Sequence, residues 1–136
     1  MDFLKSMAIA ASGLKAQSGR IRVIAENIAN AESTAQRAGA NPYRRKIATF
    51  RSEMDRALGA QTMAMGRVST HPSDFRNKYE PGHPAADANG YVKYPNVNSL
   101  VEMTDMREAQ RSYEANLNVI GATRRMIQRT IDLLRA

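Results

Sequence analysis

The chain has 136 residues and no cysteine, so it is one domain, or one small domain with extended ends, without disulfides, thiolate metal sites or thiol nucleophiles. Its formal charge of +7 is spread along the chain, with 4 basic and 2 acidic groups in residues 1–30, 10 and 6 in residues 31–96, and 6 and 5 in residues 97–136; this argues against a dedicated nucleic-acid face. No apolar stretch is long enough to span a bilayer, and Met1 to Leu14 lacks the basic start, apolar centre and small-residue cleavage site of a secretory signal, so export, if it occurs, is expected to use another route.

Residues 1–30 read as an amphipathic helix. Leu4, Met7, Ala11, Leu14, Ser18, Ile21, Ala25 and Ile28 alternate spacings of three and four, the a/d seam of a coiled coil. Gly13 and Gly19 each cost such a helix about 1 kcal/mol relative to alanine. Alone, it is weak. Asn27 and Asn30 lie one turn apart at its end, where their amides are expected to bond the last free carbonyls or to enter the left-handed conformation that stops a helix. A contact between subunits is compatible with that role.

Residues 31–96 change texture. All five prolines fall here and the heptads vanish, which predicts an irregular, mostly β and loop module. Ile47 to Phe50 suits a strand, and Arg51 to Ala60 suits a short helix. In Tyr79-Glu80-Pro81-Gly82-His83, Pro81 and Gly82 occupy the centre of an expected type II turn. Asn89-Gly90 is a tight-turn dipeptide, followed by extended Tyr91 to Tyr94. Arg44-Arg45-Lys46 follows Pro42-Tyr43; the cluster is short and only Phe50 follows as an aromatic, so it is expected to hold a loop against a neighbour's carboxylates.

Residues 97–136 form the second predicted helix. Met106, Tyr113, Ile120, Ile127 and Leu134 recur every seven residues, with a more mixed companion row of Met103, Gln110, Leu117, Arg124 and Ile131. Ser99-Leu100-Val101-Glu102 has capping-box spacing, with Asn96 as a competing cap. Arg124, Arg125, Arg129 and Arg135 suit the negative end of the helix dipole.

No chemistry is apparent. His71 and His83 are the only histidines, and they lack the companions of a metal site. Phosphate loops, nucleophile elbows and bracketed carboxylate pairs are absent. The expectation is a non-enzyme with no catalytic, metal or cofactor site. Two long helices paired only with each other bury one narrow stripe, and the off-seam residues Ile9, Val23, Ile24, Val119 and Met126 would stay wet. Several copies bundled together would cover them. The fold expected is α+β, with terminal helices paired as a coiled coil around a small central module. Rival readings are a basic helical nucleic-acid-binding protein and a cytoplasmic coiled-coil adaptor.

Ser12-Gly13-Leu14 through Asn27-Ile28-Ala29-Asn30-Ala31 resembles the helix end shared by the rod and hook proteins of the bacterial flagellum. Pro42 to Lys46, Tyr79 to Pro84 and Gly90 to Asn98 occur in the order and spacing of a proximal rod subunit. Glu102 to Met106 and Arg111 to Asn116 extend the likeness into the last helix. The resemblance implies a subunit of the basal-body rod that crosses the periplasm, part of the hollow drive shaft. The implied partners are copies of itself, other proximal and distal rod proteins, the junction with the membrane ring, and the flagellar type III export apparatus. Nucleic acid and direct membrane insertion are not implied. The seam residues Leu4, Met7, Leu14, Ile21, Ile28, Met106, Tyr113, Leu117, Ile120, Ile127, Ile131 and Leu134 are the expected assembly interface. Asn27, Asn30 and the turns at Pro42, Tyr43, Arg44, Arg45, Pro81, Gly82, Asn89 and Gly90 are expected to set how one copy sits on the next.

Overall fold

A computed structural model describes residues 2–136. Helix α1 (Phe3–Ala29) opens the chain and α2 (Ser99–Arg135) closes it. Between them lie the strands β1 (Lys46–Ile47), β2 (Phe50–Asp55), β3 (Ala60–Met65), β4 (Ser69–Thr70), β5 (Arg76–Tyr79) and β6 (Tyr91–Tyr94). They pair antiparallel as β1–β4, β2–β3 and β5–β6. The fold is α+β, and the chain divides into two compact units.

The first unit comprises Met1–Ile21, Thr49–Arg67 and Arg107–Ala136. Here α1 and α2 run antiparallel, with Gly13 against Asn116 and Arg20 3.6 Å from Glu108. A Cβ on Gly13 would stand 2.9 Å from Asn116 Nδ2, and one on Gly19 would stand 2.5 Å from the Met65 sulfur. The glycines that weaken the isolated helix are therefore places where neighbours approach closely. Hairpin β2–β3 runs in register from Phe50 opposite Met65 to Asp55 opposite Ala60. It corrects the helix expected over Arg51 to Ala60. At its tip the Asp55 carboxylate accepts from Ala57 N (2.9 Å) and Leu58 N (3.1 Å), while Gly59 turns at φ 63°. That turn reverses the chain before a helix can propagate, and Met63 N then docks on Ser12 Oγ at 3.1 Å.

The second unit comprises Arg22–Ala48 and Val68–Met106. Val23, Ile24, Ala31, Ala85, Val92 and Val97 form its buried apolar centre. The expected strand at Ile47 to Phe50 is split, since β1 ends at Ile47 and β2 begins at Phe50. At Pro81-Gly82 a turn closes through His83 N to Glu80 O at 3.0 Å. Gly82 has no positive φ, so the turn is not the expected type II. Gly90, at φ 84°, makes the turn before β6 by donating to Asp87 O at 3.0 Å. The Asp87 carboxylate also accepts from Asn89 N and Tyr91 N, both at 2.9 Å.

Helix α2 starts on Asn98, not on the expected Ser99 box or Asn96. Asn98 Oδ1 accepts from Leu100 N at 3.1 Å, and Asn98 O accepts from Glu102 N. The Glu102 carboxylate does not reach back; it turns into the protein. Asn98→Ala is expected to cost about 1 kcal/mol, read as a lower midpoint in urea unfolding.

Candidate assembly surface and its polar anchor

Burial along the helices shows which rows face inward. On α1 the row Met7, Leu14, Ile21 and Ile28 is half-buried. Its companion row is Ala10, Gln17 and Ile24, followed by Ala31 just past the helix end, all buried or half-buried, while the expected companions Leu4, Ala11, Ser18 and Ala25 face solvent. On α2 Met106, Tyr113, Ile120 and Ile127 are half-buried, and the row beside them is Glu102, Ala109, Asn116 and Thr123. Met103, Gln110, Leu117, Arg124 and Ile131 are exposed. In both helices one apolar row is half-buried. Apart from Ile24 the second inward row is small or polar, so a search for apolar periodicity passes over it.

The correction frees a surface. Leu4, Leu117, Val119, Met126, Ile131, Leu133 and Leu134 are exposed, with Leu133 at 77% and Leu134 at 82%. Val23 and Ile24 are covered by the chain itself, contrary to expectation. Helix α2 has 37 residues against 27 in α1, and every residue from Gln128 onward is exposed. Soluble chains rarely leave so much apolar side chain in water without a partner for it.

The second unit holds a polar anchor. Asn27 and Glu102 are each only 1% exposed. Asn27 Nδ2 donates to Lys46 O (2.9 Å) and Glu102 Oε2 (3.1 Å); its Oδ1 accepts from Tyr43 Oη (2.8 Å) and Lys46 N (2.9 Å). All the hydrogen-bonding capacity of the amide is used. The other Glu102 oxygen accepts from Arg45 Nε, and Arg45 Nη2 lies 3.5 Å from Asp105. Asn27 is therefore not a helix-end cap but a bracket for the backbone of Lys46. Asn30 does meet a helix carbonyl, donating to Glu26 O at 2.9 Å, but no residue other than glycine takes a positive φ among the described residues.

Around this anchor the basic cluster finds its partners inside the chain. Arg44 donates to His71 O (3.0 Å) and Ser73 O (2.7 Å) and stacks 4.2 Å over Phe75. Lys46 pairs with Glu26. A neighbour's carboxylates are not needed to hold this loop. Asn96 Oδ1 takes the Arg45 N–H at 2.8 Å at the end of the β1–β4 pair, while Asn27 stands in for a strand neighbour at Lys46. Of the other expected turn residues, Pro42 is half-buried, Gly90 is buried, and Pro81, Gly82 and Asn89 are exposed. His71 and His83 bond within their own turns, to Ser73 Oγ and Ala85 N.

Burial, with Glu26 and Glu102 nearby, pushes the Tyr43 hydroxyl up to about 12 from 10.0. The folded chain thus holds this proton more tightly than the unfolded one. Stability contributed by Tyr43 is complete below pH 10 and is lost as pH rises toward 12. Tyrosinate absorbance of the wild type minus that of Tyr43→Phe should show a component titrating near the upper value. A difference curve centred at the ordinary tyrosine value would contradict this.

Two family models match the chain: the flagella basal body rod protein model over residues 7–35 and the flagellar basal body rod FlgEFG protein C-terminal model over residues 88–133. Among curated relatives, the flagellar basal-body rod protein FlgC of Agrobacterium fabrum is 56% identical over 100% of this chain and 99% of its own length. The chain belongs to the FlgC family of flagellar basal-body rod proteins. FlgC of Salmonella typhimurium is 43% identical over 98% of each chain, and FlgC of Bacillus subtilis 34% identical over 98% of this chain and 99% of its own. The two model matches fall on α1 and α2, the elements carrying the exposed apolar rows. As an FlgC family member the chain is a structural subunit of the flagellar basal body, working among other rod components in motility.

Proposed function

We propose that the chain polymerises through its two terminal helices into the proximal rod, as part of a hollow shaft that transmits torque by packing alone, with no chemistry of its own. The observation that carries this reading is the apolar surface left on α2 and on the start of α1, from Leu4 to Leu134, which the chain itself does not cover. Residues 1–30 and 97–136 act as one helical domain, and residues 31–96 as the module that orients each copy. The seam rows of Met7 and Met106 hold the two helices together; the exposed rows of Leu4 and Leu117 meet copies of the same chain and other proximal and distal rod proteins. Subunits reach the rod across the periplasm by the flagellar type III apparatus, without a cleaved signal, and join it at the membrane ring. Weak helices favour that route, because an exported chain must be easily unfolded.

In dilute solution the isolated chain is expected to show clearly less helix by circular dichroism than helices of 27 and 37 residues require. A monodisperse monomer with both helices fully formed would count against the reading.

A further inference from the structure

We propose that the Asn27–Glu102 pair is the register lock of the α1–α2 pairing. The seam it interrupts has little power to choose a register. On α1 the inward companion row is Ala10, Gln17 and Ile24, and on α2 it is Glu102, Ala109, Asn116 and Thr123. The side-chain oxygen of Gln17 is buried with no hydrogen-bond partner among the described residues. The flanking apolar rows, Met7-Leu14-Ile21-Ile28 and Met106-Tyr113-Ile120-Ile127, repeat every seven residues. A slip of one heptad keeps these two apolar rows facing each other, although it also moves Gly13 away from Asn116 and sets Ser6 or Arg20 in its place. Apolar burial alone distinguishes such registers poorly; the close fit of Gly13 on Asn116 helps, and the buried polar pair then decides once that fit is removed.

The facing pairs fix what a slip would do. From Gly13 to Asn27 on α1 is fourteen residues forward, and from Asn116 to Glu102 on α2 is fourteen back. A seven-residue slip in one direction sets Arg20 opposite Glu102, an attractive competitor. It also strips the buried Asn27 amide of its carboxylate partner. A slip the other way faces Asn27 with Ala109. Only the observed register satisfies the amide and Glu102 together. Because the same amide also holds the Lys46 N–H and C=O, the register of the helices is tied to the position of the segment at Tyr43 to Lys46. Asn27 and Glu102 are positioning residues, and their effect is exerted through that alignment. The inference depends on the fold of the chain and stands apart from the rod reading.

The absence of native cysteine makes a clean test possible. Three full-length variants carry a cysteine pair, G13C with N116C for the observed register, and G13C with A109C or T123C for the slipped ones. Intrachain disulfides are read on denaturing gels, which report register whether or not the chain enters a rod. With Asn27 present, only the G13C/N116C pair should form. With Asn27→Ala added, that bond should fall several-fold and the slipped pairs should appear. Glu102→Ala leaves Asn27 on Lys46 and Tyr43 but removes its partner on α2, so it should release the slipped pairs as Asn27→Ala does. This keeps the proposal testable should Asn27→Ala fail to fold. If Asn27→Ala or Glu102→Ala still cross-links only at G13C/N116C, the register is set elsewhere and the proposal is wrong.

Discussion

Asn27→Ala is expected to lower the stability of the second unit by about 3 kcal/mol, among the largest effects of any single substitution here. The truncation abandons four hydrogen bonds at a site only 1% exposed. Lys46 loses partners for both its N–H and its C=O, Tyr43 loses its acceptor, and Glu102 keeps only Arg45. Each buried group left unmet costs about 1–3 kcal/mol, partly relieved where water enters beside Tyr43. A helix-end cap in the ordinary sense would cost about 1 kcal/mol, so urea unfolding separates the two roles by magnitude. A loss no greater than that of Asn98→Ala would show that the anchor is dispensable.

The second large effect is on assembly, not on folding. Leu133→Asp combined with Leu134→Asp should leave the isolated chain almost unchanged, because both side chains are exposed and surface substitutions usually shift stability by less than about 0.5 kcal/mol. In a rod those leucines are covered. Burying each contributes about 2 kcal/mol, so losing both weakens incorporation by roughly a thousandfold, before the cost of burying two carboxylates is added. Cells whose only copy carries the double substitution should make no swimming halo in soft agar, while the purified chain keeps its wild-type circular dichroism. Wild-type halos would show that this end of α2 stays in water.

Much of the helical layer was legible from residue spacing. The expected segments 1–30 and 97–136 contain Phe3–Ala29 and Ser99–Arg135, and one inward row in each helix was readable because Met, Leu, Ile and Tyr recur every seven residues. The partner row was displaced because Glu102, Ala109, Asn116 and Thr123 carry no apolar signal. Their burial follows from close helix approach at Gly13 and from the bonding of Asn27 to Glu102, neither of which spacing reveals. The β2–β3 hairpin was hidden for another reason. Met54, Ala57 and Leu58 favour a helix locally, whereas Asp55 and Gly59 close a turn that only pairing with Ala60 to Met65 makes worthwhile. The basic cluster was assigned to a neighbour because its partners, Glu26, Glu102, His71 O and Ser73 O, are remote in sequence. Resemblance to the rod family pointed to Asn27 and Asn30; geometry separated them, giving Asn27 the bracket and Asn30 the carbonyl of Glu26.

The claim beneath this account is that the outer rows of both helices are wet in a single chain and dry in the rod. Cysteine introduced at Leu117 or Leu134, in a chain with no other thiol, reports this through its rate of reaction with a maleimide. The expected result is rapid labelling of the isolated chain and strong protection at both positions in intact basal bodies. Equal labelling rates in the two states would contradict the account.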